Sequence, residues 1–446
     1  MGSWSEKQIR ESAKDHVMLT WSPSKAKNGL PIISHGEGIY LYDFDGKKYI
    51  DWSSQAVCTN TGHTVSGNVR NAISNQLDRT PFVYGGMGMM EVRARLSKLV
   101  SELLPEGLSG SVFPSSGSEA NEAAIMMARR FTGKTKIISW YRSYHGGTQN
   151  SSAATGDFRR WYGQNPSGFV KAWNPTPYFF EFAGDTEEER TQSCLLMLEE
   201  QILQEGPEHV ASIMLEPIPG AAGVLTIPPS YMQGVRALCD KYEILLHFDE
   251  VMCGFGRTGK MWGFQNYDGV VPDIVTSAKG LSSSVMPISM VAISDQMKEF
   301  FEENPVGWGS TFQAHPVALS AAYATLKDML SMDLIGHVQE MEPIFTKHME
   351  ECAEHHPSIK QYRCAGLFGS LDIQTPDGEQ PHHFNAARTE ATQAYAKAFN
   401  DVGLLGLFRP PVIHIAPPLI INEQQLNEGF EKQHEALDVL DRAMGF

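Results

Sequence analysis

HFDEVMCGFGRTG, residues 247–259, and PDIVTSAKG, residues 272–280, are the most informative stretches of this 446-residue sequence. Each contains an apolar run that predicts a buried strand, and a charged side chain stands at the end of each run, Asp249 in the first and Lys279 in the second. An unpaired carboxylate is costly to bury, and lysine is seldom buried. The two strand ends are therefore candidate positions for a ligand-binding site.

The spacing around Asp249 suits a flat, protonated heterocycle. Asp249 and Val251 are two residues apart and share one face of an extended chain, so the carboxylate would pair with a ring nitrogen while Val251 packs on the ring. Burial of Lys279 would lower its pKa and favour imine formation. Each residue also has an ordinary interpretation: a capping or salt-bridged aspartate, and a lysine that reaches solvent at the strand end.

The first stretch also contains the pattern G-x-G-x-x-G of dinucleotide-binding loops, at Gly254, Gly256 and Gly259. Such a loop should open a helix, but residues 260–269, KMWGFQNYDG, are aromatic and contain glycine, which does not predict a helix. An NAD-binding or nucleotide-binding module is therefore the less favoured interpretation.

Apolar runs alternate with helical stretches from about residue 70 to 325, which indicates a mostly parallel sheet covered on both faces. The runs are residues 136–140, 211–216, 244–250 and 273–278, and the helical stretches include 118–130 and 231–242. Residues 38–52 predict a hairpin that turns at Asp45 and Gly46. After Pro316 one long helical pattern continues past His348, and a closing helix begins near Glu423.

These patterns predict an α/β protein with a large domain and a smaller α+β domain built from both ends of the chain. The predicted boundaries are residues 1–70 for the N-terminal part of the small domain, 71–325 for the large domain, and 326–446 for the C-terminal part of the small domain.

Two further stretches are candidates for ligand binding. In FPSSGSEANEAA, residues 113–124, small residues precede a helical pattern, and the free N–H groups at a helix start would hold a phosphate at Ser116, Gly117 and Ser118. Ordinary helix capping explains the same serines. Tyr144 and His145 follow the strand at 136–140, where an aromatic ring would stack on a flat cofactor or would simply pack in a loop.

Composition narrows the class of protein. Lys and Arg number 36 against 52 Asp and Glu, and the net charge of −16 argues against nucleic acid or an anionic membrane as a partner. No pair of the six cysteines has CxxC spacing, so we expect no metal site, no disulfide framework and a cytoplasmic location. The N-terminus lacks the apolar core of a signal peptide, and no run of about 18 apolar residues predicts a membrane span.

The sequence strongly resembles the class III (ω-amino acid) aminotransferases, pyridoxal-phosphate (PLP) enzymes of fold type I. The resemblance covers nearly the whole chain. It is carried by SGSEANEAA (116–124), YHG (144–146), EPIPGAAG (216–223), FDEVMCGFGRTG (248–259), PDIVTSAKG (272–280) and GSTFQAHPVA (309–318). It implies a seven-stranded, mostly parallel sheet in the large domain.

The resemblance implies a role for each matching residue. Lys279 would be the Schiff-base lysine that also moves the proton, Asp249 would pair with the pyridine nitrogen, and Tyr144 would stack on the ring face opposite Val251. Gly117 and Ser118 would bind the phosphate, Ser116 and His145 would also belong to the cofactor site, and Glu216 would support the cofactor's oxygen. Thr311 would reach the phosphate of the neighbouring subunit, which implies a homodimer with shared active sites, or a tetramer of such dimers.

Departures from the family pattern bear on the substrate. The 4-aminobutyrate branch has a second glutamate where this chain has Ala221, a substrate arginine where it has Gly147, and a carboxylate-binding arginine where it has His414. The sequence therefore looks closer to the taurine and β-alanine branch. In that branch Arg409 would bind the carboxylate of the 2-oxo acid through a bidentate pair.

Four more residues are candidates for the substrate pocket. Arg159 or Arg160 would bind an anionic tail of the amine donor, unless they form a solvated surface pair. Trp21 and Val57 would wall the pocket, unless they pack in the core.

The favoured reaction is a ping-pong transfer of the amino group of an ω-amino acid or amine, taurine or β-alanine first, to a 2-oxo acid, with pyruvate ahead of 2-oxoglutarate. The alternative is a PLP-dependent decarboxylase or aminomutase of the same fold.

Overall fold

The computed structural model describes residues 4–163, 166–177, 180–381 and 389–446. The strands in these ranges are β1 Ile33–Glu37, β2 Tyr40–Asp43, β3 Lys48–Asp51, β4 Gly110–Val112, β5 Lys136–Trp140, β6 Phe169–Ala172, β7 Val210–Leu215, β8 Leu245–Asp249, β9 Ile274–Ser277, β10 Met290–Ile293, β11 Ile359–Ala365, β12 Phe368–Ile373, β13 Leu404–Leu405, β14 Phe408–Arg409 and β15 Val412–Ile415.

The helices are α1 Glu6–His16, α2 Ser54–Val57, α3 Gly67–Arg79, α4 Glu91–Leu103, α5 Gly117–Thr132, α6 Gln149–Ala154, α7 Glu187–Glu205, α8 Pro229–Lys241, α9 Asp295–Glu303, α10 Pro316–Ser331, α11 Leu334–His355, α12 Glu390–Asp401 and α13 Glu423–Met444. None of these described helices has the length and apolar composition needed to cross a membrane.

The central sheet has seven strands in the order β4-β10-β9-β8-β7-β5-β6. The five strands from β9 to β6 are parallel, and β10 runs antiparallel to both of its neighbours. Every residue of β7 and β9 is buried, as expected for strands covered on both faces. Because their carboxyl ends lie on one edge, the loops that follow β5, β7, β8 and β9 converge there.

The two ends of the chain meet in a smaller sheet. The predicted hairpin forms from β2 and β3, with Tyr40 opposite Ile50, and β13 adds to it in parallel through Leu404 and Ile50. A third sheet, in the order β11-β12-β15-β14, lies in the C-terminal part of the chain. Its strand β14 carries Arg409, so this sheet determines where that side chain lies.

The closing helix α13 is tied to α11 by buried polar contacts as well as by apolar packing. His356, directly after α11, is 4% exposed, and its Nδ1 lies 2.7 Å from Asp441 Oδ2. Its Nε2 lies 2.8 Å from Nδ1 of His434, also on α13. These contacts join the ends of two helices that frame the C-terminal sheet.

Two features of the structure differ from simple periodicity. The helical pattern after Pro316 is two helices, not one, because Asp333 adopts a left-handed conformation with a φ of 46° and caps α11 through its side chain. The glycine-rich stretch at 254–259 forms turns instead of opening a helix. Arg257 within it is fully buried and donates to the carbonyl groups of Leu367 and Pro417. It also donates to Oγ of Ser54 at 3.0 Å and to Oδ1 of Asn60 at 3.2 Å, so the stretch connects the N-terminal and C-terminal parts of the chain.

Candidate active site

A cavity of about 160 Å³ lies where the loops after β5, β7, β8 and β9 converge. It brings together most of the residues singled out from the sequence. Its walls are Ser116, Gly117, Ser118, Asn121, Tyr144, His145, Gly146, Glu216, Asp249, Val251, Met252 and Lys279.

Asp249 lies at the end of β8, is 3% exposed, and is surrounded by hydrogen-bond donors. Its Oδ2 accepts from the Asn121 amide at 2.8 Å and lies 2.8 Å from Nδ1 of His145. Its Oδ1 accepts from the backbone N–H of Val251 at 3.0 Å. A carboxylate has about four acceptor positions, so one position on Oδ1 remains for a further donor such as a protonated ring nitrogen.

The N-terminus of α5 forms the opposite wall. Ser116 caps the helix by accepting from the N–H of Glu119, which leaves other first-turn N–H groups available for an anion. A Cβ atom on Gly117 would lie 3.0 Å from a methyl group of Val251, so only glycine allows the close approach of the loop to that side chain. Ser118 accepts from the N–H of Gly147 at 3.1 Å, which connects this loop to the one after β5.

Lys279 lies two residues beyond β9, partly buried, with a φ of 41°. Burial lowers the pKa of its amine from 10.5 to about 8, and the positive charge of Arg409 acts in the same direction. A lowered pKa increases the fraction of uncharged amine, which is the nucleophilic form.

Glu216, directly after β7, is buried and accepts two backbone hydrogen bonds, from Tyr144 at 2.9 Å and from Gly220 at 3.1 Å. Burial, with the nearby charge of Asp249, raises its pKa to about 8. Glu216 can therefore hold a proton near neutral pH and donate it to an oxygen of a ligand.

Tyr144 lines both the cavity of about 160 Å³ and a wider outer cavity of about 740 Å³. The guanidinium of Arg159 lies 3.6 Å from the centre of the Tyr144 ring, and Trp21 packs edge-on to that ring at 5.8 Å. Trp21 itself is 61% exposed and lines the outer cavity.

Two of the three candidate arginines, Arg159 and Arg409, have different surroundings. Arg159 is only 8% exposed at its side chain and is ion-paired with Asp157, its Nε lying 2.8 Å from Oδ2. The side chain of Arg409 has no ion pair or hydrogen bond with any residue in the described ranges. Burial, with the nearby positive charge of Arg159, lowers its pKa to about 10. Of these two guanidinium groups, Arg409 is therefore the one without an ion pair in the described part of the chain, and the charge of Asp157 acts on it only from a greater distance.

A third cavity, of about 350 Å³, lies on the other side of Arg409 and is lined by Ala221, Arg160 and several aromatic rings. Ala221, which stands where the 4-aminobutyrate branch has its second glutamate, lines the same cavity as Arg409 and offers no carboxylate there. His414, the other substitution noted in the sequence, is fully buried with its Nε2 3.0 Å from the carbonyl oxygen of Gly220, and burial lowers its pKa to about 4.

Two predicted site residues lie outside these cavities. Val57 was expected to wall the substrate pocket, but it is 2% exposed and packs in a core cluster with Ile218, Val224 and Phe368. Thr311 lies apart from the cavity of its own chain and is exposed, next to Phe312.

Sequence reasoning also missed residues. Asn121 was quoted only as part of a motif, yet its amide contacts Asp249 directly. Its signal was a polar residue on the buried face of α5, one position after Ala120 and three before Ala124. Met252 and Gly146 carried no such signal, because their places in the cavity depend on loop geometry.

The residues of the cavity fit PLP. The start of α5 offers a phosphate site beside Gly117, Asp249 has an open acceptor position, and Lys279 offers an amine with a lowered pKa. Nε2 of His145 is buried without a hydrogen-bond partner in the described part of the chain, so it is available to a ligand bound in the cavity.

Comparison with known proteins agrees with this arrangement. Residues 22–437 match the family Aminotransferase class-III. A taurine:2-oxoglutarate aminotransferase from Bifidobacterium kashiwanohense, solved with PLP and glutamate, is 37% identical, with a TM-score of 0.93 and 100% of both chains covered. An omega transaminase from Pseudomonas jessenii, solved with PMP, is 29% identical, with a TM-score of 0.91 over 98% of this chain and 99% of that one.

Curated relatives act on several different amines. The diaminobutyrate–2-oxoglutarate transaminase of Halomonas elongata is 30% identical over 93% of this chain and 91% of its own. The putrescine–pyruvate aminotransferase of Pseudomonas aeruginosa is 30% identical over 96% of this chain and 95% of its own.

The fold and the site are those of a PLP-dependent transferase of fold type I. More narrowly, the chain belongs to the class III aminotransferases, and it is a PLP-dependent transaminase of ω-amino acids or amines.

Proposed function

We propose that this transaminase takes its amino group from an ω-amino acid, taurine or β-alanine first, and passes it to a 2-oxo acid in a ping-pong cycle. The observation that carries the proposal is the guanidinium of Arg409, which forms no ion pair with any described residue and lines both cavities beyond Tyr144. A buried cation without a counter-charge is a receptor for an anionic substrate group.

PLP supplies the electron sink that makes the carbon–hydrogen bond next to the amine acidic. The residues of this chain position and protonate the reactants. Lys279 Nζ would accept and hold the proton released from the amine-bearing carbon of the donor. Asp249 would hold the ring nitrogen of PLP in its protonated form, and Val251 and Tyr144 would pack on the ring.

Arg409 is a better candidate than Arg159 for binding the acceptor carboxylate. Asp157 forms an ion pair with Arg159, whereas Arg409 forms no ion pair with the described residues and is reached by the Asp157 charge only from a greater distance. Arg159 would instead form part of the wall, stacked on Tyr144 and near Trp21. The positive field of both arginines would still attract an anionic donor tail.

The identity of the acceptor rests on two opposing arguments. Ala221 in place of a glutamate favours pyruvate, while the structural neighbour from Bifidobacterium is named for 2-oxoglutarate. A matrix of donors (taurine, β-alanine, 4-aminobutyrate, simple amines) against both acceptors discriminates between them. Release of carbon dioxide, or turnover without any acceptor, would instead indicate the decarboxylase or aminomutase alternative.

The role of Arg409 is tested by Arg409→Met, with Arg442→Met on the exposed side of α13 as the matched control. We expect the KM for the 2-oxo acid to rise about 10- to 100-fold in Arg409→Met, because a charge-assisted bidentate pair is lost. The single-turnover reaction of a simple, uncharged-tail amine should be unchanged. An unaltered KM for the acceptor would contradict the assignment.

We further propose a homodimer with shared active sites. Support comes from exposed apolar side chains: Phe312, next to Thr311, is 62% exposed and its ring lies 6.0 Å from that of Phe82, and Met87 and Met89, in the same connection between α3 and α4 as Phe82, are 87% and 70% exposed. Such side chains are unusual on a free surface when they occur together. The cytoplasmic location expected from the scattered cysteines stays a prediction.

A further inference from the structure

We propose that a buried chain of hydrogen bonds, from His247 through Thr276 to Asn121, fixes the direction in which donors face Asp249 and so leaves one acceptor position of that carboxylate open for the ring nitrogen of PLP. The three side chains are positioning residues, and His247 and Thr276 lie outside the cavity wall. The inference rests on PLP binding and is independent of the proposed substrates.

The chain of contacts is short and completely buried. Nε2 of His247 lies 3.0 Å from Oγ1 of Thr276, and that hydroxyl donates to Oδ1 of Asn121 at 2.7 Å. The Asn121 amide then donates to Oδ2 of Asp249 at 2.8 Å. His247 and Thr276 are fully buried and Asn121 is 1% exposed, so water does not compete for these bonds.

Which group donates and which accepts along this hydrogen-bond chain follows from counting the available hydrogens. Both amide hydrogens of Asn121 are used, one on Asp249 and one on the carbonyl of His145 at 2.6 Å. Its Oδ1 must therefore accept, and the single hydroxyl hydrogen of Thr276 goes to it. The hydroxyl oxygen can then only accept from His247, so Nε2 of His247 carries the hydrogen.

The state of His247 agrees with that assignment. Burial lowers its pKa to about 3, so the ring is neutral and carries one hydrogen. Its Nδ1 is buried without a partner among the described residues. If the hydrogen were on Nδ1, a buried N–H would lack an acceptor and Nε2 could not donate to the hydroxyl of Thr276. With the hydrogen on Nε2, only an unprotonated nitrogen lacks a partner, which costs less free energy, so the hydrogen resides on Nε2.

The alternative orientation of Asn121 shows what the chain prevents. A flipped amide would place its oxygen against Oδ2 of Asp249, and two acceptors would repel each other at that distance. Thr276 would then also lose its acceptor. His247 lies on β8, Thr276 on β9 and Asn121 on α5. The hydrogen-bond chain therefore also connects the strand that ends at Asp249, the strand that precedes Lys279 and the helix whose start is the candidate phosphate site.

The test uses Thr276→Val, which removes the hydroxyl and keeps the shape, with Thr276→Ser as the matched control that retains it. Two readouts do not depend on turnover: the dissociation constant for PLP by equilibrium dialysis, and the pH titration of the visible absorbance of the bound cofactor. We expect Thr276→Val to weaken PLP binding about tenfold and to shift the pH titration. Removing a residue that hydrogen-bonds to a ligand-contacting side chain typically lowers affinity by about that factor. Thr276→Ser should resemble the wild type.

Two results would overturn the proposal: wild-type behaviour of Thr276→Val in both readouts, or equal losses in the valine and serine variants. If Thr276→Val does not fold, His247→Phe removes the terminal donor while keeping a ring in the same space. It should weaken PLP binding in the same direction, and wild-type affinity and titration in that variant would equally contradict the chain.

Discussion

Lys279 differs from an ordinary lysine in both its backbone and its amine. A φ of 41° is uncommon for a residue with a side chain and costs about 1 kcal/mol or more, which the surrounding structure must offset. The amine lies beside Asp249 and Glu216, whose charges raise its pKa, but burial outweighs them. The sequence showed a lysine at a strand end, whereas its reactivity depends on surroundings supplied by other segments.

The lowered pKa of Lys279 predicts the pH dependence of cofactor attachment. Only the uncharged amine attacks, so the rate at which the apoenzyme bonds covalently to added PLP should rise with pH and reach half its maximum near pH 8, not near 10.5. Stopped-flow absorbance at a series of pH values measures this. Lys279→Ala should show no such pH-dependent colour, and a wild-type rate that is flat between pH 7 and 9 would refute the prediction.

At the scale of elements, the sequence predicted the central strands and helices well because each has its own local signal. The run at 136–140 is β5 residue for residue, and the capped helix at Ser116 begins where its serine and glycine residues indicate. The break between α10 and α11 was missed, since the helical periodicity continues across Met332 and Asp333 and only the left-handed backbone of Asp333 ends it.

The start of α5 gives a prediction at this scale. In Gly117→Ala the new Cβ would lie 3.0 and 3.1 Å from the two methyl groups of Val251. The start of α5, which is the candidate phosphate site, and the side chain of Val251, which would pack on the ring of PLP, must therefore move apart. We expect PLP affinity to fall about tenfold, or about 1.4 kcal/mol. PLP titration of the apoenzyme measures this.

Gly67→Ala is the control, because α3 also begins at a glycine and nothing lies within 4 Å of the added Cβ. That variant should bind PLP as the wild type does. Equal losses in both variants would mean that alanine acts through the helix start in general and not through Val251.

At the scale of the whole molecule, the exposed apolar group near Thr311 predicts an association between two chains. Phe312→Asp should place a charge in the proposed interface, convert the protein to a monomer in analytical ultracentrifugation and remove most of its activity. Leu196→Asp is the matched control, since Leu196 is 66% exposed on α7. A wild-type protein that is monomeric and fully active would contradict the shared-site proposal.

Contacts between distant segments are the part that the sequence did not predict. Nothing local indicates that Val57 packs beside Phe368, that Asn60 bonds to Arg257, or that Thr276 bonds to Asn121. Each pairing depends on the closed fold, and each concerns either a core cluster or the second layer of the site. The charged and glycine-containing motifs were informative because PLP binding requires those residue types at those positions.

The parallel pairing of β3 with β13 also has a consequence for the order in which the protein can fold during synthesis. On the ribosome, Ile50 is made long before its partner Leu404. The segment from Ser116 to Lys279 emerges well before Arg409. A nascent chain therefore contains every residue of the PLP cavity before it contains the arginine proposed to choose the acceptor, and the N-terminal hairpin stays an open edge until the last strands arrive.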